Sequence, residues 1–183
     1  MPPELEKEAT GAELFPDLKL VNEWRSRSKG LIYTDPESGT LLKGMVDDML
    51  QKDEKLIVLD FKTRGYPLKE DSHTYYQDQL DLYNFLFRKN GYETEDYAYL
   101  LYYYPKKVNG NGDFVFETVL KRITTHVEHA EELFQEAIKI LQGPMPYMGK
   151  KCGFCNWGLE VNGNEAPEEL FPGQRKKLSG HVE

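Results

Sequence analysis

A short apolar run that ends in three polar and aromatic positions constrains this chain more than any other feature. Residues 56–59 read Leu-Ile-Val-Leu and are followed directly by Asp-Phe-Lys at positions 60–62. An apolar run of this length, bounded by polar residues, predicts a buried β-strand over 55–63. A second strand is predicted over 41–50, and the polar residues between the two indicate a turn. The sequence therefore predicts a β-hairpin whose second strand ends in an acid and a lysine.

The register of this hairpin decides which side chains share a face. With the turn centred at 52–53, Asp47 is predicted to lie opposite Val58. Asp60 is then the diagonal neighbour of Asp47 on the same face, and Lys62 follows two residues later. The register therefore groups two carboxylates and one ammonium group on one side of the hairpin.

The other face of the hairpin is apolar and is predicted to enter the core. Asp48 falls on this apolar face, so Asp47 is the favoured functional acid. A change of one residue in the length of the turn would reverse this choice. The apolar side chains of this face are Leu42, Val46, Leu50, Ile57, Leu59 and Phe61.

Two aspartates and a lysine on one face indicate metal-dependent hydrolysis of a phosphodiester. Asp47, Asp60 and the backbone carbonyl of Phe61 would supply the hard oxygen ligands that Mg²⁺ or Mn²⁺ prefers. Such a metal lowers the pKa of a bound water and polarises a phosphate. Lys62 would hold the attacking water or stabilise the charge that develops on the phosphate. The alternative is that Asp60 and Lys62 are only polar residues at the exposed end of a strand, because Asp-x-Lys is common.

The helix predicted over 73–90 adds two further candidates. Gln79 and Tyr83 are four residues apart and share one face of this helix, beside Leu82 and Leu86. A glutamine and a tyrosine on an apolar stripe need hydrogen-bond partners if they are buried. A water network or a phosphate in the site would provide them. The alternative is an ordinary polar edge on a half-exposed helix.

The remaining segments complete an α/β order of β-β-β-α-β-β-α, which predicts a mixed β-sheet flanked by helices. A single domain is expected over residues 1–183. Its predicted parts are a loose N-terminal arm over 1–28, with room for one short helix within 1–20, a core over 29–142, and a C-terminal tail without clear periodicity over 143–183.

The chain resembles the RecB-like and CRISPR-associated exonuclease-like branch of the PD-(D/E)XK nuclease superfamily. The resemblance covers about residues 31–142 and rests on three motifs in this order: Gly44-x-x-Asp47, Asp60-x-Lys62 and Gln79-x-x-x-Tyr83. It implies the restriction-endonuclease-like fold, a divalent metal and hydrolysis of DNA, with repair or defence proteins as further partners. By this resemblance Asp47 and Asp60 are metal ligands, Lys62 is the catalytic lysine, and Gln79 and Tyr83 line the site.

One part of the family pattern has no clear counterpart. Many relatives complete the metal shell with a histidine or glutamate on an N-terminal helix, and no histidine precedes His73 in this chain. Glu4, Glu6 and Glu13 are the candidate substitutes. An incomplete shell favours a second hypothesis, in which the chain is a catalytically impaired nuclease-fold module for DNA binding or complex assembly.

A pair of cysteines follows the predicted core. Cys152 and Cys155 form a CxxC, which is half of a zinc or iron–sulfur site, since such sites normally use four ligands. The chain has two cysteines, and His181 is distant in sequence. An iron–sulfur cluster is therefore expected only if cysteines from outside this chain complete it, as the resemblance to relatives with an additional N-terminal cysteine implies. Free or disulfide-linked cysteines, and a zinc knuckle that a partner completes, remain as alternatives.

The charge pattern limits the mode of nucleic-acid binding. A net charge of -8 argues against a nonspecific coat on nucleic acid, but a local basic rim can exist on an acidic protein. No apolar run approaches the ~20 residues of a membrane span, and the N-terminus lacks a hydrophobic signal region, so a cytoplasmic protein is expected. The candidate rim residues are Arg25, Arg27, Lys29, Arg64, Lys69, Lys106, Lys107, Lys150 and Lys151.

Overall fold

The structure is a computed structural model that describes residues 3–8, 11–144, 146, 149 and 151–161. Residues 1–135 form one compact unit and residues 136–183 a second. The described helices are α1 (Pro3–Glu8), α2 (Leu18–Arg25), α3 (Gln77–Lys89), α4 (Val127–Gln142) and α5 (Gly153–Val161), with a 3₁₀ turn at Thr74–Tyr76. The described strands are β1 (Glu13–Leu14), β2 (Leu31–Thr34), β3 (Leu41–Gly44), β4 (Asp48–Lys52), β5 (Lys55–Thr63), β6 (Tyr97–Val108) and β7 (Phe114–Thr124).

The first unit is built on a five-stranded mixed sheet in the order β1-β4-β5-β6-β7. Neighbouring strands are antiparallel except β5 and β6, which are parallel. Parallel strands require a crossover connection, and α3 lies in the segment that links β5 to β6. Strands β2 and β3 pair separately as a two-stranded sheet. The mixed sheet and its flanking helices confirm the predicted α/β class.

Both faces of the sheet are buried, and β5 contributes to each in turn. Leu56 and Val58 belong to the cluster that contains residues of α2 and α3. Ile57 and Leu59 belong to the opposite cluster, which contains Leu5 of α1. Because side chains alternate along a strand, Asp60 continues the face that is covered by α3.

The turn of the β4–β5 hairpin lies one residue later than predicted. Asp53 and Glu54 occupy its two central positions with φ of 46° and 68°, and the flanking lysines pair across it. Val58 therefore pairs with Met49, and the predicted pairing of Val58 with Asp47 is wrong. Since the register moves by two residues, each side chain of β5 keeps its predicted face.

The strand predicted over 41–50 is interrupted. β3 ends at Gly44 and β4 begins at Asp48, so Asp47 lies in the connecting segment directly before β4. Val46 consequently packs in the cluster on the α3 side, whereas it was predicted to share a face with Leu50. The interruption transfers the chain from the two-stranded sheet to the main sheet.

The N-terminal segment contains two helices, where a loose arm with at most one short helix is predicted. Leu5 of α1 and Val21 and Trp24 of α2 are buried. The Trp24 ring packs edge-on against Phe87 of α3, with ring centroids 4.9 Å apart. This segment therefore contributes directly to the core of the first unit.

The described part of the second unit contains the end of α4 and the helix α5. Helix α5 lies in the tail over 143–183, which is predicted to have no clear periodicity. Cys152 immediately precedes α5 and Cys155 lies in its first turn. Residues 162–183, with His181, and Lys150 lie outside the described residues. None of the helices described has the length and apolar character that crossing a membrane requires.

Candidate active site

Asp60 is the most deeply buried charged group of the predicted site. It lies near the end of β5 with 2% of its surface exposed. Its Oδ2 atom is 2.5 Å from the Nζ of Lys62, and this ion pair lacks the angles of a hydrogen bond. Burial raises the pKa of the Asp60 carboxyl; Lys62 acts in the opposite direction and Asp47 adds to the rise. The site therefore holds a carboxylate with a buried oxygen that no described residue supplies with a hydrogen bond.

Asp47 reaches the same strand from the segment that precedes β4. Its Oδ2 accepts a hydrogen bond of 2.9 Å from the backbone N–H of Phe61, the residue that follows Asp60. Backbone pairing between β4 and β5 ends at Asp48 and Leu59. Beyond that pair, the Asp47 side chain takes the place of a backbone carbonyl as the acceptor for the strand. The structure thus brings the Asp47 carboxylate to the backbone between Asp60 and Lys62.

Gln79 connects the groups on β5 to helix α3. Its Oε1 accepts a hydrogen bond of 3.1 Å from Lys62 Nζ, and its Nε2 donates to Asp60 Oδ1 at 3.3 Å. The same Nε2 donates to the hydroxyl of Tyr83 at 2.7 Å. Burial raises the pKa of Tyr83 above its ordinary value of 10.0. The structure brings together Asp60, Lys62, Gln79 and Tyr83, and their roles in a reaction stay predictions.

Gly44 explains how α3 comes this close to the strands. A Cβ atom at this position would lie 2.6 Å from Leu86 Cδ1 and 3.3 Å from Tyr83 Cδ1. Such separations are shorter than ordinary van der Waals contact, so a larger residue would displace the helix or its side chains. The glycine of the first motif therefore serves packing, and it allows Tyr83 to lie over the site.

Two residues that contact the site were not assigned to it from the sequence. Arg25 of α2 donates from Nε to the backbone carbonyl of Asp47 at 2.5 Å, and its Nη2 is 2.9 Å from Asp48 Oδ2. Tyr76 places its ring 4.5 Å from Lys62 Nζ. Arg25 carried no signal beyond its charge, whereas Tyr76 could have been found as the residue three positions before Gln79 on the same face.

The donor set fits a hard divalent cation. Asp60 and the carbonyl of Phe61 offer oxygen atoms at consecutive positions of β5, and Asp47 adds a carboxylate that bonds to the Phe61 N–H. Oxygen is the ligand type that Mg²⁺ and Mn²⁺ prefer. The buried Oδ2 of Asp60 lies beside Lys62 but accepts no hydrogen bond, so a cation would be an additional partner for it. Among the described residues, no group of three or more His, Cys, Asp or Glu side chains is arranged to hold a metal ion. The set therefore consists of two carboxylates and a carbonyl.

Two of the three glutamates considered as an N-terminal ligand, Glu6 and Glu13, do not join this set. Glu13 pairs with Gln51, at the end of β4 opposite to Asp47. Glu6 belongs to α1, which packs through Leu5 on the other face of the sheet. The side chain of Glu4 lies outside the described residues.

A known family matches this chain over most of its length. The sequence profile described as the PD-(D/E)XK nuclease superfamily matches residues 6–158. The chain belongs to the PD-(D/E)XK nuclease superfamily. No curated protein matches it.

Among solved proteins, this superfamily member is similar to the crystal structure of SSO0001, with a TM-score of 0.43 and 20% sequence identity. The match covers 76% of this chain. It covers 59% of the other chain, so this chain spans little more than half the length of that protein.

The two cysteines of this chain lie close together at the start of α5. The backbone N–H of Cys155 donates to the Sγ of Cys152 at 3.4 Å. A hydrogen bond from the Cys155 thiol lowers the pKa of Cys152. Both cysteines are free, and in the described part of the chain no third soft ligand joins them. A shared iron–sulfur or zinc site stays a prediction that requires ligands from outside this chain.

The candidate basic rim separates into different environments. Lys29 pairs with Glu23, Lys106 pairs with Glu117, and Arg25 holds the segment around Asp47 as described above. Arg64 and Lys69 instead line a cleft next to the end of β5 and have no ion-pair partner among the described residues. Arg64 and Lys69 are therefore cations near the motif whose charge no described acidic side chain neutralises.

Proposed function

We propose that this chain is a metal-dependent nuclease that hydrolyses phosphodiester bonds in DNA and belongs to the RecB-like branch of its superfamily. The observation that carries the proposal is the convergence of Asp60, Lys62 and Gln79 beside Asp47. Burial of an acid beside an ammonium group carries a desolvation cost in folding free energy. A role for both groups in binding or catalysis would explain why the chain has this pair. DNA as the substrate, with repair or defence proteins as partners, rests on the likeness of the three motifs to that branch.

Each residue has a distinct role in the proposed reaction. Asp47 and Asp60, with the carbonyl of Phe61, would hold Mg²⁺ or Mn²⁺. When bound, the cation supplies Lewis acidity that makes water a better nucleophile and polarises the phosphate. Lys62 orients the attacking water and stabilises negative charge on the phosphate oxygens.

Gln79 and Tyr83 position the groups that react. Gln79 bonds to both Asp60 and Lys62, so it holds the carboxylate and the ammonium group at a fixed separation. Tyr83 accepts the second hydrogen bond of the same amide and thereby fixes its orientation. A pre-organised arrangement of this kind reduces the reorganisation needed during the reaction.

A cleavage assay tests the proposal. The chain is incubated with single- and double-stranded DNA and Mn²⁺, alongside Asp60→Ala, Lys62→Ala and the control Lys55→Ala, which removes a cation at the opposite end of β5. We expect the first two variants to lose at least about 100-fold in rate, as is typical when one charge-stabilising group is removed. The control should retain the rate of the wild type. Cleavage that neither site variant reduces would refute the assignment of the site.

A second candidate function has one observation in its favour. In the described residues, no third carboxylate or histidine approaches Asp47 and Asp60. A chain with this incomplete shell would act as a catalytically impaired module for DNA binding or complex assembly. Binding of Mn²⁺ and DNA without cleavage, with Mn²⁺ binding lost in Asp60→Ala, would favour this candidate over the enzyme.

A further inference from the structure

A cleft of about 500 Å³ continues from the end of β5, directly after the Asp60-x-Lys62 motif. Its walls come from the last residue of β5, the loop that follows, and the 3₁₀ turn before α3. The principal lining residues are Thr63, Arg64, Tyr66, Lys69, Tyr75 and Tyr76.

The cleft combines exposed aromatic rings with cations. Tyr75 is 79% exposed and Tyr66 is 57% exposed, although large aromatic side chains usually bury most of their surface. Arg64 stacks on Tyr66, with its guanidinium carbon 4.6 Å from the ring centroid. Arg64 also lowers the pKa of the Tyr66 hydroxyl. Glu70 and Asp71 belong to the same loop, but no acidic residue is among the described residues that line the cleft.

The loop that carries these groups is fixed to the sheet. The N–H of Arg64 donates to the carbonyl of Tyr103 on β6 at 2.9 Å. The N–H of Lys69 donates to the Ser72 hydroxyl at 3.0 Å, and the Tyr102 hydroxyl donates to the Ser72 carbonyl at 3.4 Å. These bonds hold the loop in shape, so the cleft exists before any ligand arrives.

The cleft is contiguous with the candidate active site through Tyr76. The ring of Tyr76 lines the cleft and also lies 4.5 Å from the ammonium group of Lys62. A nucleic-acid strand with one phosphate beside Lys62 would therefore bring its next phosphate to Arg64 and Lys69. Exposed tyrosines at the same place offer a surface on which a base can stack.

We propose that this cleft binds an unpaired nucleotide next to the phosphate that is cut, with the base stacked on Tyr75 and the phosphate held by Arg64 and Lys69. A base that is paired in a duplex has both faces covered by its neighbours and cannot stack on a side chain in this way. The cleft therefore selects single-stranded or frayed DNA. The inference rests on the proposed function for the identity of the neighbouring site, and on the lining of the cleft for the nucleotide.

A binding experiment without metal tests the cleft separately from catalysis. Fluorescence anisotropy measures the affinity of the chain for an oligothymidylate of about 12 nucleotides, a length that single-strand grooves accommodate, and for an abasic oligomer with equal phosphates. We expect Tyr75→Ala to weaken binding of oligothymidylate by at least about fivefold, the lower limit for loss of one stacked base. It should leave binding of the abasic oligomer unchanged, and Tyr75→Trp should restore the affinity for oligothymidylate.

The arginine of the cleft has a matched control elsewhere in the sheet. Arg122 stacks on Tyr97 at 3.8 Å, at the other end of β6, so it reproduces the cation and aromatic pair without the cleft. Arg64→Ala should weaken binding of both oligomers, whereas Arg122→Ala should change neither. Equal loss for both oligomers in Tyr75→Ala, or no loss for either, would overturn the proposal.

The failure of this inference can be told apart from the failure of the proposed function. Binding is measured without metal and without cleavage, so an inactive enzyme can still show the loss that is specific to oligothymidylate. Conversely, an active enzyme whose affinity is insensitive to Tyr75→Ala retains the proposed function and loses the nucleotide site.

Discussion

The Asp60 carboxyl determines how the candidate site responds to pH. It is buried, and burial raises its pKa above the ordinary value of 3.8 although Lys62 acts against the rise. Metals bind the ionised carboxylate, so binding must displace any proton that the raised pKa retains. In the absence of metal the native state also holds this proton more tightly than the unfolded chain does. Stability therefore falls as pH rises from 3.8 through the native pKa.

Affinity for Mn²⁺ should consequently increase with pH above the ordinary titration range of an aspartate. We expect the gain to continue until the pH exceeds the raised pKa of Asp60, with proton release over the same interval. Isothermal titration calorimetry in buffers of different ionisation enthalpy measures both the affinity and the protons released. Binding without proton release at every pH above 3.8 would show that Asp60 does not contribute to the site.

Asp47 and its neighbour Asp48 should differ sharply in function. Asp47 bonds to the backbone of Phe61, whereas Asp48 lies 2.9 Å from Arg25. Asp47→Asn should abolish binding of Mn²⁺ in an electron paramagnetic resonance titration. Asp48→Asn removes a partly exposed ion pair, so it should cost less than about 1 kcal/mol and retain the metal. The reverse result would assign the ligand to Asp48.

At the scale of elements, the distance between α3 and β3 depends on Gly44. Gly44→Ala inserts a methyl group 2.6 Å from Leu86 Cδ1, so we expect a loss of about 1–3 kcal/mol in the free energy of unfolding. It should also displace Tyr83 and reduce cleavage. Chemical denaturation measures the stability. The control is Gly110→Ala, where an added Cβ meets no atom within 4 Å; equal stability of the two variants would contradict this role of Gly44.

The faces of the β4–β5 hairpin could be predicted because side chains alternate strictly along a strand. That periodicity placed Asp60 and Lys62 together even though the turn was set one residue too early. The turn could not be located from composition. Asp53 and Glu54 adopt positive φ angles, which in two-residue hairpin turns are usually found at asparagine or glycine. Both side chains are exposed, so the turn is set by the pairing of the flanking strands, which brings Lys52 opposite Lys55.

The remaining differences arise from contacts between distant segments. Arg25 has no local pattern that points to Asp47, which lies 22 residues later, because the contact exists only once α2 packs on the sheet. The N-terminal helices could be predicted only in part, as one short helix within 1–20, for a similar reason. Six and eight residues are marginal for an isolated helix, and burial of Leu5 and Trp24 stabilises them. Short motifs therefore predict the chemical groups of a site better than they predict the tertiary contacts that hold those groups in place.

At the scale of the whole molecule, the net charge is -8, whereas the candidate nucleic-acid site is lined by positively charged side chains. An acidic body repels a polyanion at long range, so attraction must come from a small number of local cations. Lys62, Arg64 and Lys69 follow one another along β5 and the adjoining cleft. The protein should therefore contact few phosphates and bind DNA with weak dependence on salt.

This expectation gives a measurable slope. Contact with about three phosphates of a single strand predicts that log Kobs falls with log salt at a slope of about −2, since each contact contributes about −0.7. Arg64→Ala should reduce the slope to about −1.4 because one contact is lost, and Arg122→Ala should not alter it. Anisotropy with oligothymidylate over a series of salt concentrations, without metal, provides the measurement. A slope steeper than about −4 would require a broad basic surface elsewhere, because two clustered cations and one lysine cannot release that many counterions.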